Sequence, residues 1–370
     1  AGREPLRSHL PRVEFRKEER RDLQYWLSIF TAIALSWLMR LLPFRVRRWL
    51  ARTGGDLAYR LSPTYRGNVL DNMRHVLGPD ASEKDVERAA RHIFRTNAEN
   101  FRDLLLLPHR SPTEIIGRIH LEHGDWSILD QALAGGKGAV LITAHLGAFD
   151  IVGHSLLHRG YQLTTVTGRT TSRYLFDLVT FLRRSHDMRI VEASPSGVRR
   201  VIQALRRGEC AVFLTDRDFF LNGRPVRFFG HDTTLPPGAV RIARDTGAPI
   251  VPIFTTRHSD YHALYIEEAF TVEKTNDVDA DIARGLNRVV EVLERAIARA
   301  PDQWVMFQRV WPSEPVDPVR VFPVGSPLDG ALLRRVDAVL PPRHRDEDGS
   351  VAPSLPVEPP TDRTASPPRS

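Results

Sequence analysis

The chain has 370 residues, 42% of them hydrophobic and 26% charged, with a formal net charge of +7. That length suffices to bury one large core or two modest ones. A single cysteine, Cys210, excludes an intramolecular disulfide framework and any multi-cysteine zinc or iron–sulfur site. The apolar run Ala211-Val212-Phe213-Leu214 beside it predicts a buried thiol rather than a nucleophile.

Residues 1–22 are densely charged with both signs. An uncharged stretch follows from Leu23 to Met39, carrying Trp26, Phe30 and Trp37. Its length is at the short limit for a spanning helix, and Gln24, Ser28, Thr31 and Ser36 weaken it further. Arg40, Arg45, Arg47, Arg48 and Arg52 come next, with Trp49 among them. An apolar helix with aromatic residues and a basic flank suits a bilayer interface, lying in it or barely crossing it. A core helix of a soluble domain is the alternative. No small-residue cleavage site precedes the arginines, so an ordinary secretory signal is not expected. The arginine bias runs through the whole chain, with 48 Arg against 4 Lys. Guanidinium forks bind phosphate and carboxylate bidentately, so a basic surface could meet anionic lipid, an acidic carrier protein or nucleic acid. A coding preference for arginine explains the composition equally well. No nucleic-acid motif accompanies the charge, and no nucleic-acid partner is expected.

Residues 65–107 read as helices with polar faces, with a Ser82–Asp85 capping pattern. Beyond them short apolar runs alternate with amphipathic ones. Strands are predicted at 138–143, 163–166, 189–191, 211–214, 250–255 and 262–266, and helices at 148–158, 172–184, 196–207, 237–246 and 279–299. This alternation predicts an α/β fold with a largely parallel central sheet flanked by helices. Residues 312–370 hold 13 of the 27 prolines and a single aromatic, Phe322, and read as a mostly disordered tail. The expected organisation is therefore 1–52 as a charged, membrane-associated N-terminus, 53–311 as the α/β domain and 312–370 as the tail.

His145-Leu-Gly-Ala-Phe-Asp150 sets an imidazole and a carboxylate five positions apart. About one such pair is expected by chance in this composition, so the pattern alone is weak. Three occur: His75/Asp80, His120/Asp125 and His145/Asp150. His75 and Asp80 flank the turn signal Gly78-Pro79, and His120 lies in a charged stretch. Only His145 follows a buried-looking strand, Ala139–Thr143, and precedes a helix through Gly147. Ligands of open α/β sheets bind beyond the carboxyl ends of the strands, which is where His145 would stand. Asp150 in the first helical turn could reach back to one ring nitrogen and leave the other free to accept a proton. A turn histidine beside a helix-capping aspartate is the bland alternative. Asp216, following the strand at 211–214, is a second carboxylate whose strand end would converge on the same crevice, or else a loop cap. Gly135-Gly-Lys-Gly138 precedes its strand and is neither a P-loop nor a dinucleotide fingerprint, no G-x-S-x-G elbow exists, and no metal site is identified by spacing.

From about Tyr65 to Trp311 the sequence resembles the bacterial lysophospholipid/lipid A acyltransferase family, defined by H-x4-D/E. The resemblance is carried by Arg66–Met73, Gly138–Asp150, Leu214-Thr-Asp-Arg-Asp218, Phe228-Phe-Gly230, Thr234-Leu-Pro-Pro-Gly238 and Gln303–Trp311, in that order. Asp150 stands where the lipid A branch often has Glu, Arg217 where it commonly has Gln, and Gln308 where it commonly has His. Asp150 and the 216–218 run look closer to the mannoside and glycolipid acyltransferases of actinobacteria. The resemblance implies a glycerolipid acyltransferase-like fold and transfer of a fatty acyl group to a glycolipid or phospholipid hydroxyl. It implies no cofactor, the donor being acyl-CoA or acyl carrier protein. It implies His145 as general base, with Asp150 or Asp216 orienting it. It implies Arg169 as a contact for the polar or phosphorylated part of the substrate, with Arg217 and Arg309 as weaker candidates of the same kind. Phe229, beside Phe228, would line an acyl groove or join the core, and Gly230, Pro236 and Gly238 would shape loops. The expected setting is a bacterial plasma membrane with the catalytic domain facing the cytoplasm, in contact with anionic lipids. A catalytically silent membrane adaptor of the same fold is the competing class.

Overall fold

The computed structural model describes residues 23–168, 173–218 and 222–311. The Pro-rich segment, the charged residues 1–22 and Arg169 lie outside them. Helices α1 (Leu23–Leu41), α2 (Phe44–Leu61), α3 (Pro63–Leu77), α4 (Glu83–Leu106) and the short α5 (Pro112–Ile116) come first. They are followed by β1 (Ile119–His123), α6 (Trp126–Ala134), β2 (Ala139–Thr143), α7 (Phe149–His158), β3 (Leu163–Thr167), α8 (Arg173–Arg183) and β4 (Arg189–Glu192). Then come α9 (Pro195–Arg206), β5 (Cys210–Leu214), the hairpin β6 (Arg224–Phe228) and β7 (His231–Leu235), α10 (Gly238–Thr246), β8 (Ile250–Arg257), β9 (His262–Ile266) and α11 (Val278–Arg299).

Seven strands form one sheet in the order β1-β9-β8-β2-β5-β3-β4. All neighbours are parallel except β8 and β9, which run antiparallel. The fold is thus α/β with a mostly parallel sheet flanked by helices. Strand β2 shows why: Val140 and Ile142 enter one core and Ala139 and Leu141 the other, so the two-residue period of the strand feeds both faces. The first core is closed by α3, α4, α10, α11 and Trp304, the second by α1, α6, α7 and α8. Cys210 is fully buried at the start of β5, and burial followed by the nearby Glu209 carboxylate pushes its thiol up to about 12, which makes it inert as a nucleophile.

Helix α4 starts as the sequence predicts, Ser82 Oγ accepting from Asp85 N at 3.2 Å. Helix α1 is arranged in reverse of an ordinary surface helix. Its small side, Ser28, Ile29, Ala32 and Ser36, is buried against α4 and α8, with Ser36 Oγ donating to Leu105 O at 2.7 Å. Leu23, Phe30, Leu38 and Leu41 are exposed on its other side. Among the described residues, all the exposed large apolar side chains except Tyr65 and Leu175 lie on α1 and α2. No described helix is long and apolar enough to cross a membrane. The uncharged run therefore packs one stripe on the fold and leaves a broad apolar surface beside it, which monomeric soluble proteins rarely expose.

Candidate active site

Strands β2 and β5 are neighbours in register, Thr143 opposite Leu214, and Thr215 N donates to Thr143 O at 3.0 Å. Two residues beyond those paired ends stand His145 and Asp216, which the register therefore brings side by side. The ring Nδ1 lies 2.9 Å from Asp216 Oδ1, and the His145 backbone N–H donates to Oδ2 at 2.8 Å. The indole Nε1–H of Trp304 donates to the same Oδ2 at 2.9 Å. Asp216 is completely buried. Burial by itself raises its carboxyl, but the His145 charge, the bonds from His145 and the Trp304 N–H outweigh it and hold the group below the ordinary carboxylate value. An ionised Asp216 accepts from Nδ1–H, which leaves the lone pair on Nε2. Among the described residues Nε2 has no hydrogen-bond partner, and the side chain is 26% exposed with Phe149 edge-on to the ring at 5.4 Å.

The turn that carries His145 is dictated by Gly147. Its φ is +57°, and a Cβ there would stand 2.5 Å from Thr255 O of β8, so no other residue fits without moving the strand. A strap from 303 to 305 closes the turn from the other side. Gly147 N donates to Gln303 O at 3.2 Å and Val305 N to His145 O at 2.7 Å. Asn72 of α3 holds the strap in turn, its Nδ2 donating to Met306 O and Gln308 O and its Oδ1 accepting from Val310 N. The blocks 66–73 and 303–311, far apart in sequence, thus meet behind the histidine.

Asp150 does not reach back to His145. It opens α7 with its carboxylate forked onto Arg183 at the end of α8, at 2.7 and 3.1 Å. A planar guanidinium offers two parallel donors that an imidazole cannot match. Buried His154 joins the same pair from below, with Nδ1 2.8 Å from Asp150 O and Nε2 3.0 Å from Arg183 O. The guanidinium of Arg183 also lies 5.8 Å from the Phe149 ring. Neither Arg183 nor the indole of Trp304 has a local sequence signal, since each acts on a residue 33 or 88 positions away.

The other expected residues fall as follows. Arg217 is half-buried beside Asp216, and burial lowers its guanidinium although Asp216 and Tyr65 pull the other way. Asp218 is a loop cap, accepting from Asn222 N, Gly223 N and Thr234 Oγ1. Phe228 is fully buried among Trp304, Trp311 and Phe229. Phe229 and Gly230 form the β6–β7 turn with φ of +47° and +74°, the Phe229 N–H donating to Glu294. Arg309 is half-exposed, 3.3 Å from Asp71. The rival histidines are occupied elsewhere: His75 bonds Asp71 O and stacks on Trp311, and His120 stacks on Tyr261 while Asp125 caps α6.

A histidine held by a buried carboxylate beyond the ends of two parallel strands of an α/β sheet is an arrangement able to accept a proton. Residues 13–313 match the family described as bacterial lipid A biosynthesis acyltransferase, and the chain belongs to that family. It is an acyltransferase of lipid or glycolipid biosynthesis, and members of the family are membrane-associated bacterial enzymes. It is 29% identical over 303 residues to a phosphatidylinositol mannoside acyltransferase of Mycobacterium tuberculosis, covering 76% of this chain and 87% of that one. It is 26% identical over 286 residues to a lipid A biosynthesis acyltransferase of Haemophilus influenzae, covering 76% and 86%. Among solved structures, the 1-acyl-sn-glycerophosphate acyltransferase of Thermotoga maritima aligns at 12% identity with a TM-score of 0.31, over 68% of this chain and 97% of that one.

Proposed function

We propose that the protein transfers a fatty acyl group from an acyl thioester to a hydroxyl of a mannosylated phospholipid or similar glycolipid, at the cytoplasmic face of a bacterial plasma membrane. The pairing of His145 Nδ1 with buried Asp216 carries the reading. With Nδ1–H committed to Asp216, Nε2 takes the hydroxyl proton as that oxygen attacks the thioester carbonyl. The C–O bond forms, the C–S bond breaks, and the proton on Nε2 passes to the departing thiolate. Asp216 keeps the ring in this tautomer and stabilises the transient imidazolium. Asp150, tied to Arg183, fixes the first turn of α7 and hence the loop under the ring, so it acts as a positioning residue. Arg217, Arg309 and Arg169 are the proposed contacts for polar or phosphorylated parts of the substrates, and the Phe229-Gly230 turn borders the acyl chain. The donor is acyl-CoA or acyl carrier protein.

The apolar surface of α1 and α2 holds the enzyme on the bilayer, with their arginines facing anionic headgroups. The glycolipid acceptor is favoured by the mycobacterial relative and by Asp150 with the 216–218 run. A lipid A precursor is the second reading, favoured by the Haemophilus relative. Incubating the purified protein with acyl-CoA and either a phosphatidylinositol mannoside or a lipid A precursor, followed by mass spectrometry, tests the choice. Acylation of the mannoside is the expected product, and acylation of the lipid A precursor alone overturns the acceptor.

A further inference from the structure

A polar cavity of about 160 Å³ opens between α2, α4 and the β8–β9 loop, several times the ~30 Å³ share of one water. Its wall is separated from the His145 turn by Gln303, whose backbone bonds Gly147 while its side chain bonds both the N–H and the carbonyl of Arg257. Five guanidinium groups line it, those of Arg48, Arg52, Arg102, Arg118 and Arg257, against the carboxylates of Glu99 and Asp260. Part of this charge is spent internally. Buried Asp103 binds Arg257 at 2.5 Å, Arg110 at 2.8 Å and Arg102 at 3.1 Å, and Glu99 lies within 4.0 Å of Arg52, Arg102 and Arg257.

What remains is a directed surplus. Neither Arg48 nor Arg118 has a carboxylate within 4.0 Å among the described residues. The Arg257 side chain is 8% exposed, and among the described residues its buried Nε has no hydrogen-bond acceptor, Glu99 being 3.6 Å away. A buried guanidinium N–H without an acceptor is costly, and an anion in the cavity would offset that cost.

We propose that this cavity binds the phosphate ester of an anionic ligand, gripped by Arg48, Arg118 and Arg257. Guanidinium forks match phosphate oxygens bidentately, and the three arginines, from α2, the α5–β1 turn and the end of β8, offer more donors than the two oxygens of a carboxylate can use. The mouth also has the right neighbours. Phe44, Arg48 and Arg52 form one stripe of α2 along the cavity, while Trp49, Leu57 and Leu61 of the same helix are exposed. A membrane seated on that apolar surface would bring headgroup phosphates to the level of the opening. A soluble phosphate ester offers the same chemistry. The site stands whether or not His145 is the base.

The test compares the full chain with R48Q/R118Q and with the charge-matched control R45Q/R60Q. Arg45 and Arg60 are exposed on α2 and do not line the cavity. Flotation with phosphatidylcholine vesicles, with and without phosphatidylinositol, reads the lipid source. Melting temperature in glycerol phosphate reads the soluble one. The expected result is that R48Q/R118Q loses about tenfold or more of the binding gained from phosphatidylinositol beyond what the control loses, since Arg45 and Arg60 contribute only the general attraction of basic side chains to an anionic surface. A loss confined instead to the glycerol phosphate response upholds the site and assigns it to a soluble ester. Equal losses in both double variants would mean diffuse surface attraction and overturn the proposal, as would an unchanged R48Q/R118Q. All three proteins must melt at similar temperatures without ligand, and R118Q alone replaces the pair if R48Q/R118Q does not.

Discussion

Asp216→Asn separates proton logic from shape. Asp216 Oδ2 accepts two N–H groups, from the His145 backbone and the Trp304 indole, while Oδ1 faces the ring Nδ1. An asparagine must keep its single oxygen where the two donors point, because turning it would set an NH2 against two N–H groups. Its NH2 then faces Nδ1, which can accept only if the ring proton moves to Nε2. The atom that should receive the hydroxyl proton is thereby blocked, although no side chain has moved. Loss of the correct tautomer costs about 10³–10⁴-fold in turnover, or ~4–5.5 kcal/mol of transition-state stabilisation. The fold retains both N–H contacts to oxygen and loses only their charge assistance, ~1–2 kcal/mol. Acyl transfer measured beside thermal melts distinguishes the two effects, and nitrogen NMR of His145 reads the tautomer. The double variant H145A/D216N should be no slower than H145A, since the two act as a unit. Turnover of Asp216→Asn within tenfold of the parent, in folded protein, would refute the reasoning.

Asp150→Asn and Arg183→Gln should each slow acyl transfer by about tenfold or more, and combining them should add little, because they form one forked pair; additive losses would show separate roles. Replacing exposed Phe30 and Trp49 by serine should weaken vesicle binding by about tenfold or more, from the ~1.5–3 kcal/mol of each buried large side chain, without changing the melting temperature. Burial, and then the charges of Arg257, Arg110 and Arg118, push the His262 ring down to about 3 against a neighbouring Asp103. The unfolded chain therefore takes up that proton first: the stability contribution is full above the ordinary value of 6.5 and is lost as pH falls toward 3. Denaturant titrations between those limits should show a slope up to ~1.4 kcal/mol per pH unit shallower in His262→Gln than in the parent; identical slopes would count against it.

The sequence made some of this legible because the signal was local. The uninterrupted apolar run Ala139–Thr143 marks a strand buried on both faces, and Gly147 marks the turn that must follow it. Asp216 could be placed because it ends the next apolar run. Pairing His145 with Asp150 failed as a geometric expectation because the first turn of α7 directs the carboxylate toward α8, and the competing partner lies on a helix whose position only the sheet order decides. Strand β1 was missed because it is an edge strand with polar His120, Glu122 and His123, half-exposed and without an apolar run. The β6–β7 hairpin hides its pattern in Arg, Asp and Thr, burying only Val226, Phe228, Thr233 and Leu235. Helix α1 looked like a short membrane segment because hydropathy does not record that its serines face protein while Leu23, Phe30, Leu38 and Leu41 do not.

The central claim is that His145 removes the acceptor proton, and the release of free thiol from an acyl thioester on adding lipid acceptor tests it most directly. His145→Ala should be slower by about 10²–10⁴-fold with stability within ~1 kcal/mol of the parent, while His75→Ala and His120→Ala stay close to it. Near-normal thiol release in folded His145→Ala would contradict the account, and equal losses at all three histidines would trace the effect to destabilisation instead.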